Sequence, residues 1–354
     1  MSPLLRNVEE AGIAGIRRKR NPALIGPEMF FSESEEVRRL FARLIGGDAE
    51  RVALIPATSY GVATVARNLR LEPDQNMVVL HEQFPSNVYS WRRLAADTGA
   101  RLCTIEGQGA GWNERILEAI NARTAVVAVS TVHWANGTRF DLDAIGTRAR
   151  EVGAAFVVDG TQSLGALPME VTSLPVDALI CSGYKWLLGP YSMGFLYVGE
   201  RFLSGIPLEE NWITRAGSER FGELVRYTDA YQDGARRFDV GERSNFALMP
   251  MMAAAIQQVL QWEPRRITDY CHCLMSPAIA LIRELGYKVD PACSAHLFGV
   301  GMPGQVTRDS LYRLLTQHSV SVSVRGSAIR VSPHVYNTPA DVDRFCEVLA
   351  MAAR

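Results

Sequence analysis

Seven short apolar runs, rich in β-branched residues, recur at 52–55, 77–80, 102–105, 125–129, 156–158, 178–181 and 195–198. Helix-like stretches lie between most of them, at 61–71, 86–98, 112–121 and 142–152. Strands alternating with helices predict a mainly parallel sheet covered by helices. The runs at 125–129 and 156–158 are almost wholly apolar, as strands buried on both faces are. In a doubly wound sheet of this kind, chemistry sits beyond the carboxyl ends of the strands.

After about residue 245 the texture changes. Long helices are expected over 250–262 and 266–285, short strands near 296–300, 320–324 and 328–331, and a closing helix over 339–352. This pattern predicts a smaller α+β domain at 256–354, joined through a helix to a large α/β domain at 21–255, with an N-terminal helix (1–20) packed on the small domain. The 354 residues suffice for two domains and a core that needs no crosslinks.

The 37 basic and 38 acidic residues give a net charge of −1, so nothing draws the chain toward nucleic acid or a membrane surface. Its apolar runs fall far short of the roughly 18 residues a membrane span needs. Glu9 and Glu10 interrupt the first apolar segment, and Arg17-Arg18-Lys19-Arg20 follows it, the reverse of a secretory leader. Those cations suit the carboxyl end of a helix. A cytoplasmic location is expected. Six cysteines are too few for a disulfide scaffold. Cys271-His272-Cys273 lies in a helical stretch, where residues two apart diverge, and no second pair follows at zinc spacing; no metal is expected.

Three strand ends carry distinctive residues. Pro56-Ala57-Thr58-Ser59-Tyr60-Gly61 precedes a helix and reads either as an anion site or as an ordinary cap. Asp159-Gly160-Thr161-Gln162 follows an apolar strand, where an acid can bind a cation, cap a helix or hold a ring nitrogen. Ser182-Gly183-Tyr184-Lys185-Trp186 follows another; its lysine is either a desolvated nucleophile or a surface lysine lying on aromatics. Gly107, Gly109 and Gly111 do not make a dinucleotide fingerprint, and no phosphate loop, nucleophile elbow or His-Glu-x-x-His occurs. An anion site, an acid and a lysine are together what pyridoxal 5′-phosphate requires.

On VVDGTQSLGALPMEV and DALICSGYKWLLGPYSMGFLYV the chain resembles the class V branch of the fold-type I pyridoxal-phosphate enzymes, from about Glu35 onward. That branch holds aminotransferases, cysteine desulfurases, isopenicillin-N epimerase-like proteins and kynureninase. The resemblance implies a mainly parallel seven-stranded sheet with a smaller C-terminal α+β domain, and a homodimer with shared active sites. It makes Lys185 the Schiff-base lysine and proton shuttle, and Asp159 the partner of the pyridine nitrogen. Gln162 would bond the phenolic oxygen, and Thr58, Ser59, Ser182 and Tyr184 would hold the phosphate. Phe84 takes the place of the ring stacked on the cofactor, and Arg330 that of the arginine gripping a substrate α-carboxylate. Ser244 and Asn245 match, loosely, a segment lent across the dimer.

The sequence also departs from its relatives. Desulfurases carry a cysteine on a loop before the strand holding the arginine; here Val320 to Ala328 contains none and connects directly through Arg325-Gly326-Ser327, leaving Cys293 as the loop substitute. Tyr184 stands where histidine is usual, as in kynureninase. His133 and Trp134 replace an Asn-containing turn over the substrate and either shape its pocket or pack as an aromatic corner. The amino-terminal segment is short beside relatives in which a further stretch lines the site. The expected activity is that of an aminotransferase on an amino acid or related amine, not a cysteine desulfurase. The alternatives are a Cβ-cleaving lyase (kynureninase-like or C–S lyase) or epimerase and, in another class, an inert cofactor-binding protein.

Overall fold

The computed structural model describes residues 1–107, 111–325 and 328–353, so Gly109 of the glycine triplet and Gly326-Ser327 of the short connection lie outside the described residues. Two helices, α1 (Arg6–Lys19) and α2 (Met29–Leu44), precede the sheet. Then follow β1 (Val52–Ile55), α3 (Thr58–Arg67), β2 (Asn76–Leu80), α4 (Tyr89–Thr98), β3 (Arg101–Ile105), α5 (Trp112–Ala119) and β4 (Thr124–Ser130). The large domain continues through α6 (Leu142–Glu151), β5 (Ala155–Asp159), β6 (Ala178–Ser182) and β7 (Gly194–Val198). Each of the seven apolar runs is a strand. Their order is β1-β7-β6-β5-β4-β2-β3, parallel except that β7 runs against both its neighbours.

Alternating side chains divide the strands between two apolar layers. Val78, Leu80, Phe156 and Val158 face one core, while Met77, Val79, Ala155 and Val157 face the other. Every residue of β1, β2, β5, β6 and β7 is buried, which is why these strands read as unbroken apolar runs. On the first layer the ring of Phe41 from α2 stacks on Phe195 of β7, centroids 3.9 Å apart.

Helix α7 (Leu248–Trp262) packs into the large domain's first core, and the second unit holds α8 (Pro264–Glu284), β8 (Phe298–Gly301), α9 (Arg308–Gln317), β9 (Ser323–Arg325), β10 (Ala328–Val331) and α10 (Pro339–Ala353). Its three strands form an antiparallel sheet in the order β8-β10-β9 around a separate core that includes Ile282, Phe298, Leu311 and Phe345. Within α8, Cys271 is buried and Cys273 exposed, so the two thiols do point apart. Among the described residues no helix is long and apolar enough to cross a membrane.

One placement differs from expectation. Helix α1 packs not on the small domain but on the start of α7 and the large domain. A Cβ at Gly12 would lie 2.7 Å from Met251 Sδ, and one at Gly15 would lie 2.3 Å from the Phe246 carbonyl oxygen. Two glycines three residues apart give α1 a flat side, and α7 fits against it. Arg18 adds an ion pair to Glu33 at 2.5 Å, and the Ser2 N–H reaches the Tyr184 carbonyl at 3.3 Å.

Candidate active site

Beyond the carboxyl ends of β4, β5 and β6 lies a cavity of about 360 Å³. Strand register builds it: Ser130, the last residue of β4, pairs with Asp159, the last of β5, and Ser182 closes β6. Asp159 is buried, and its Oδ1 accepts the Thr161 N–H at 2.9 Å. Its carbonyl oxygen takes both the N–H and the hydroxyl of Thr131, each at 3.1 Å. Burial pushes the Asp159 carboxyl up from the ordinary range, opposed by the bonds from Thr161 and the charge of Lys185.

Helix α3 begins at the cavity wall with Ala57 at its cap position, so no side chain satisfies its first N–H groups. Thr58 Oγ1 lies 2.6 Å from Ser182 Oγ and 3.2 Å from Thr161 Oγ1, and the Ser182 N–H donates to that same Thr161 oxygen at 3.2 Å. Hydroxyls and helix N–H groups therefore converge as a ready anion cradle. Ser59 and Tyr184 line the same cavity.

Lys185 Nζ stands 5.0 Å from the Phe84 ring centroid and 5.6 Å from that of Tyr184. A Gly165 of positive φ lets the turn after β5 pack against the backbone that follows Lys185, because a Cβ there would lie 2.3 Å from the Trp186 carbonyl oxygen. The Trp186 indole N–H donates to Gln162 Oε1 at 3.1 Å, which leaves the amide NH₂ as the donor Gln162 can offer. Phe84 follows a tight turn at Glu82 with φ of 50°. The Glu82 carbonyl accepts the Trp134 indole N–H at 2.6 Å and meets His133 Nε2 at 3.2 Å.

His133 does not reach the cavity. It is buried, its second nitrogen meets Asn136 Oδ1 at 2.9 Å, and burial holds it neutral by pushing its pKa down. The expected substrate contact is thus a brace behind the Phe84 turn; the ring turns inward because Trp112, 5.0 Å away, and the Glu82 carbonyl give it a packed, bonded seat. Trp134 does line the cavity, edge-on to Phe84 at 5.4 Å, and its carbonyl accepts Arg330 Nη1 at 3.0 Å. Arg330, Lys185 and Gln162 border a second, smaller cavity of about 50 Å³. Ser244 and Asn245 line neither: the Ser244 hydroxyl bonds the Phe30 carbonyl, and Asn245 Oδ1 caps α7 through the N–H groups of Ala247 and Leu248. Cys293 also lies outside both, its thiol pushed up to about 11 by burial.

Sequence reasoning did not single out Gln83, Ser130, Tyr191 or Ser192, which also border the large cavity. A polar residue closing an apolar strand was a usable signal for Ser130; the others sit in loops without periodicity. Ser130 Oγ and Gln83 Nε2 are buried yet have no hydrogen-bond partner. Buried polar atoms of this kind are uncommon unless a ligand completes them. Anion cradle, buried acid, aromatic face, lysine and unspent polar atoms together fit a flat, phosphorylated pyridine aldehyde.

The sheet topology and this site define a fold-type I pyridoxal-phosphate enzyme. The sequence profile of the family Aminotransferase class-V matches residues 27–345, and the chain belongs to that family, with pyridoxal 5′-phosphate as its cofactor. It is 26% identical over 319 residues to the uncharacterized aminotransferase YcbU of Bacillus subtilis, covering 90% of this chain and 83% of that protein. It is equally 26% identical over 341 residues to the isopenicillin N epimerase of Streptomyces clavuligerus, covering 89% and 83%. Among solved structures, the apo cysteine desulfurase of Thermococcus onnurineus NA1 superimposes with a TM-score of 0.85 at 25% identity, covering 99% of this chain and 92% of that one. These three proteins carry three reaction names, so similarity alone does not fix the reaction.

Proposed function

We propose that this protein is an aminotransferase acting on an α-amino acid through Lys185, and that it is not a cysteine desulfurase. The observation that carries the reading is the position of Lys185 on the border of both cavities, one with the acid and anion cradle, the other with Arg330. Pyridoxal phosphate, when bound, supplies an electron sink for the bond broken at the substrate Cα. Thr58, Ser59, Ser182 and the α3 N-terminus would bind the phosphate, with the Tyr184 phenol, kept protonated as burial pushes its pKa up, as a further donor. Asp159 would face the ring nitrogen and hold its proton. Phe84 would cover one face of the ring, and the Gln162 amide NH₂ would donate to the ring oxygen.

Arg330 would fix the α-carboxylate and so orient the Cα–H bond. Lys185 Nζ would then take the Cα proton as general base and hold it as the general acid for the return step. Against persulfide chemistry stand the absence of cysteine from 320–328 in the sequence and, among the described residues, from the walls of either cavity. A Cβ-cleaving lyase is the second reading, favoured by Tyr184 beside Lys185 and Phe84 before Pro85. The active form we propose is a homodimer in which Ser244 and Asn245, remote from their own cavity, serve the neighbouring one.

The test is the visible spectrum of the purified protein with pyridoxal phosphate, followed by borohydride reduction and peptide mapping. Yellow colour fixed onto Lys185 and lost in Lys185→Ala supports the reading. Product analysis with amino-acid and keto-acid pairs then separates transamination from Cβ cleavage or inversion. A protein that stays colourless with cofactor would sink it.

A further inference from the structure

The second cavity has a residue that neither cofactor nor α-carboxylate employs. Arg330, Ser332 and His334 alternate along the extended segment that continues β10, and all three line that cavity with Lys185. The His334 ring is 1% exposed, yet neither of its nitrogens has a hydrogen-bond partner. Its position is nonetheless fixed. The ring stacks on Trp186 at 5.7 Å and on Tyr336 at 5.1 Å, and the backbone is held by the His334 N–H to Asn337 Oδ1 bond at 3.1 Å. A buried imidazole with both nitrogens unmatched forfeits its hydration, a cost that persists until something in the cavity bonds to it.

We propose that His334 reads the substrate side chain: its imidazole exchanges a hydrogen bond with a small, uncharged polar group on the amino acid whose α-carboxylate lies on Arg330. This rests on the function proposed above. The size follows from the cavity, about 50 Å³ and walled by Trp186, Leu297 and Tyr336, which admits only a few non-hydrogen atoms. The absence of charge follows from its lining. Among the described residues no acid borders it, while Lys185 and Arg330 do, so a cationic side chain is repelled. Burial drives the His334 pKa down to about 4, so near neutral pH the ring offers one donor and one acceptor but no charge to match a second carboxylate.

The experiment titrates the holoenzyme with polar amino acids beside their apolar isosteres, L-threonine against L-valine and L-asparagine against L-leucine, with L-aspartate as the charged control. Dissociation constants are read from the change in visible absorption. Wild type is expected to bind at least one polar member about tenfold more tightly than its isostere, and His334→Phe to lose that preference while His334→Gln keeps most of it. A wild type without polar preference, a preference that survives in His334→Phe, or aspartate binding more tightly than asparagine overturns the proposal. Should His334→Phe not fold, His334→Ala decides, with the preference lost and then restored by imidazole in the buffer; no restoration overturns it. A holoenzyme that responds to amino acids without this selectivity fails the inference alone, whereas one that responds to none fails the proposed function and this inference with it.

Discussion

The indole N–H of Trp134 closes on the carbonyl oxygen of Glu82 at 2.6 Å, and this bond bears on how Phe84 is presented to Lys185. Glu82 adopts a left-handed φ of 50°, a conformation that non-glycine residues rarely hold without support. His133 supports the same oxygen from behind at 3.2 Å. Both residues thus fix the turn that carries the ring, Trp134 while also lining the cavity and His133 from outside it.

Trp134→Phe removes the donor and keeps the aromatic edge against Phe84. A neutral hydrogen bond contributes about 0.5–1.5 kcal/mol, so the affinity for pyridoxal phosphate should fall roughly two- to tenfold. Equilibrium titration of apoprotein with cofactor measures this. An unchanged dissociation constant would mean that His133 alone holds the turn.

Asp159→Asn separates the cost of burying a charge from its use. Burial raises the Asp159 pKa above its unfolded value of 3.8, so the ionised group weakens the cofactor-free fold progressively as pH rises from that value through the folded pKa. The apo variant should therefore melt above apo wild type near pH 7, since asparagine still accepts the Thr161 N–H. With cofactor bound the order should reverse, and turnover should fall about 10²–10⁴-fold. Thermal melts of both forms, with and without cofactor, test the sign; an apo variant less stable than wild type contradicts the burial account.

The sequence made Lys185 and Asp159 legible because each stands at or just past the end of a strand so thoroughly buried that its end is unmistakable, whereas the part of Gln162 came from resemblance. Phe84 and Arg330 came from resemblance, and the structure brings both to the borders of Lys185's cavities. Elsewhere the signal failed for physical reasons. The stretch from 199 to 247 has only short 3₁₀ turns among its regular elements, so it shows no periodicity to read. Its anchors, Asp239 and Arg243, look in the sequence like scattered surface charges, although both are buried. The orientation of the His133 ring depends on a carbonyl fifty-one positions away, which no local pattern records.

His296 links the two units, with Nδ1 2.6 Å from Ser294 Oγ and Nε2 2.7 Å from the Gln162 carbonyl. Burial holds its pKa down to about 4 against an ordinary 6.5. A depressed histidine contributes stability above the unfolded pKa and loses it as pH falls through the folded one, so the loss should run from about pH 6.5 to about pH 4. The full effect is about 3 kcal/mol. Melting temperature against pH should slope less in His296→Gln than in wild type over that window. Parallel curves would assign the acid sensitivity elsewhere, with His334, also held near 4, the next to substitute.

The Asp239 carboxylate accepts from three residues at once: Arg38 through Nη2 at 2.6 Å and Nη1 at 3.1 Å, the Leu54 N–H at 2.6 Å and Arg243 Nη1 at 2.5 Å. Through them α2, β1 and the segment leading to Ser244 and Asn245 become one body. Both side chains of the Arg38–Asp239 pair are fully buried, so Asp239→Leu strands the buried Arg243 and leaves Arg38 only Glu35, at a cost of about 3–5 kcal/mol, whereas Arg38→Met leaves Asp239 its bond to Arg243. Replacing both with apolar residues removes that pair and its desolvation together, with Arg243 the one charge of the three still buried. Asp239→Leu and Arg38→Met should each lower the urea midpoint sharply, while the double variant should lose clearly less than the two losses added. Strict additivity would show that the charges do not act as a pair. If the segment also serves a neighbouring subunit, Asp239→Leu should weaken dimerisation in light scattering at a urea concentration where the chain remains folded.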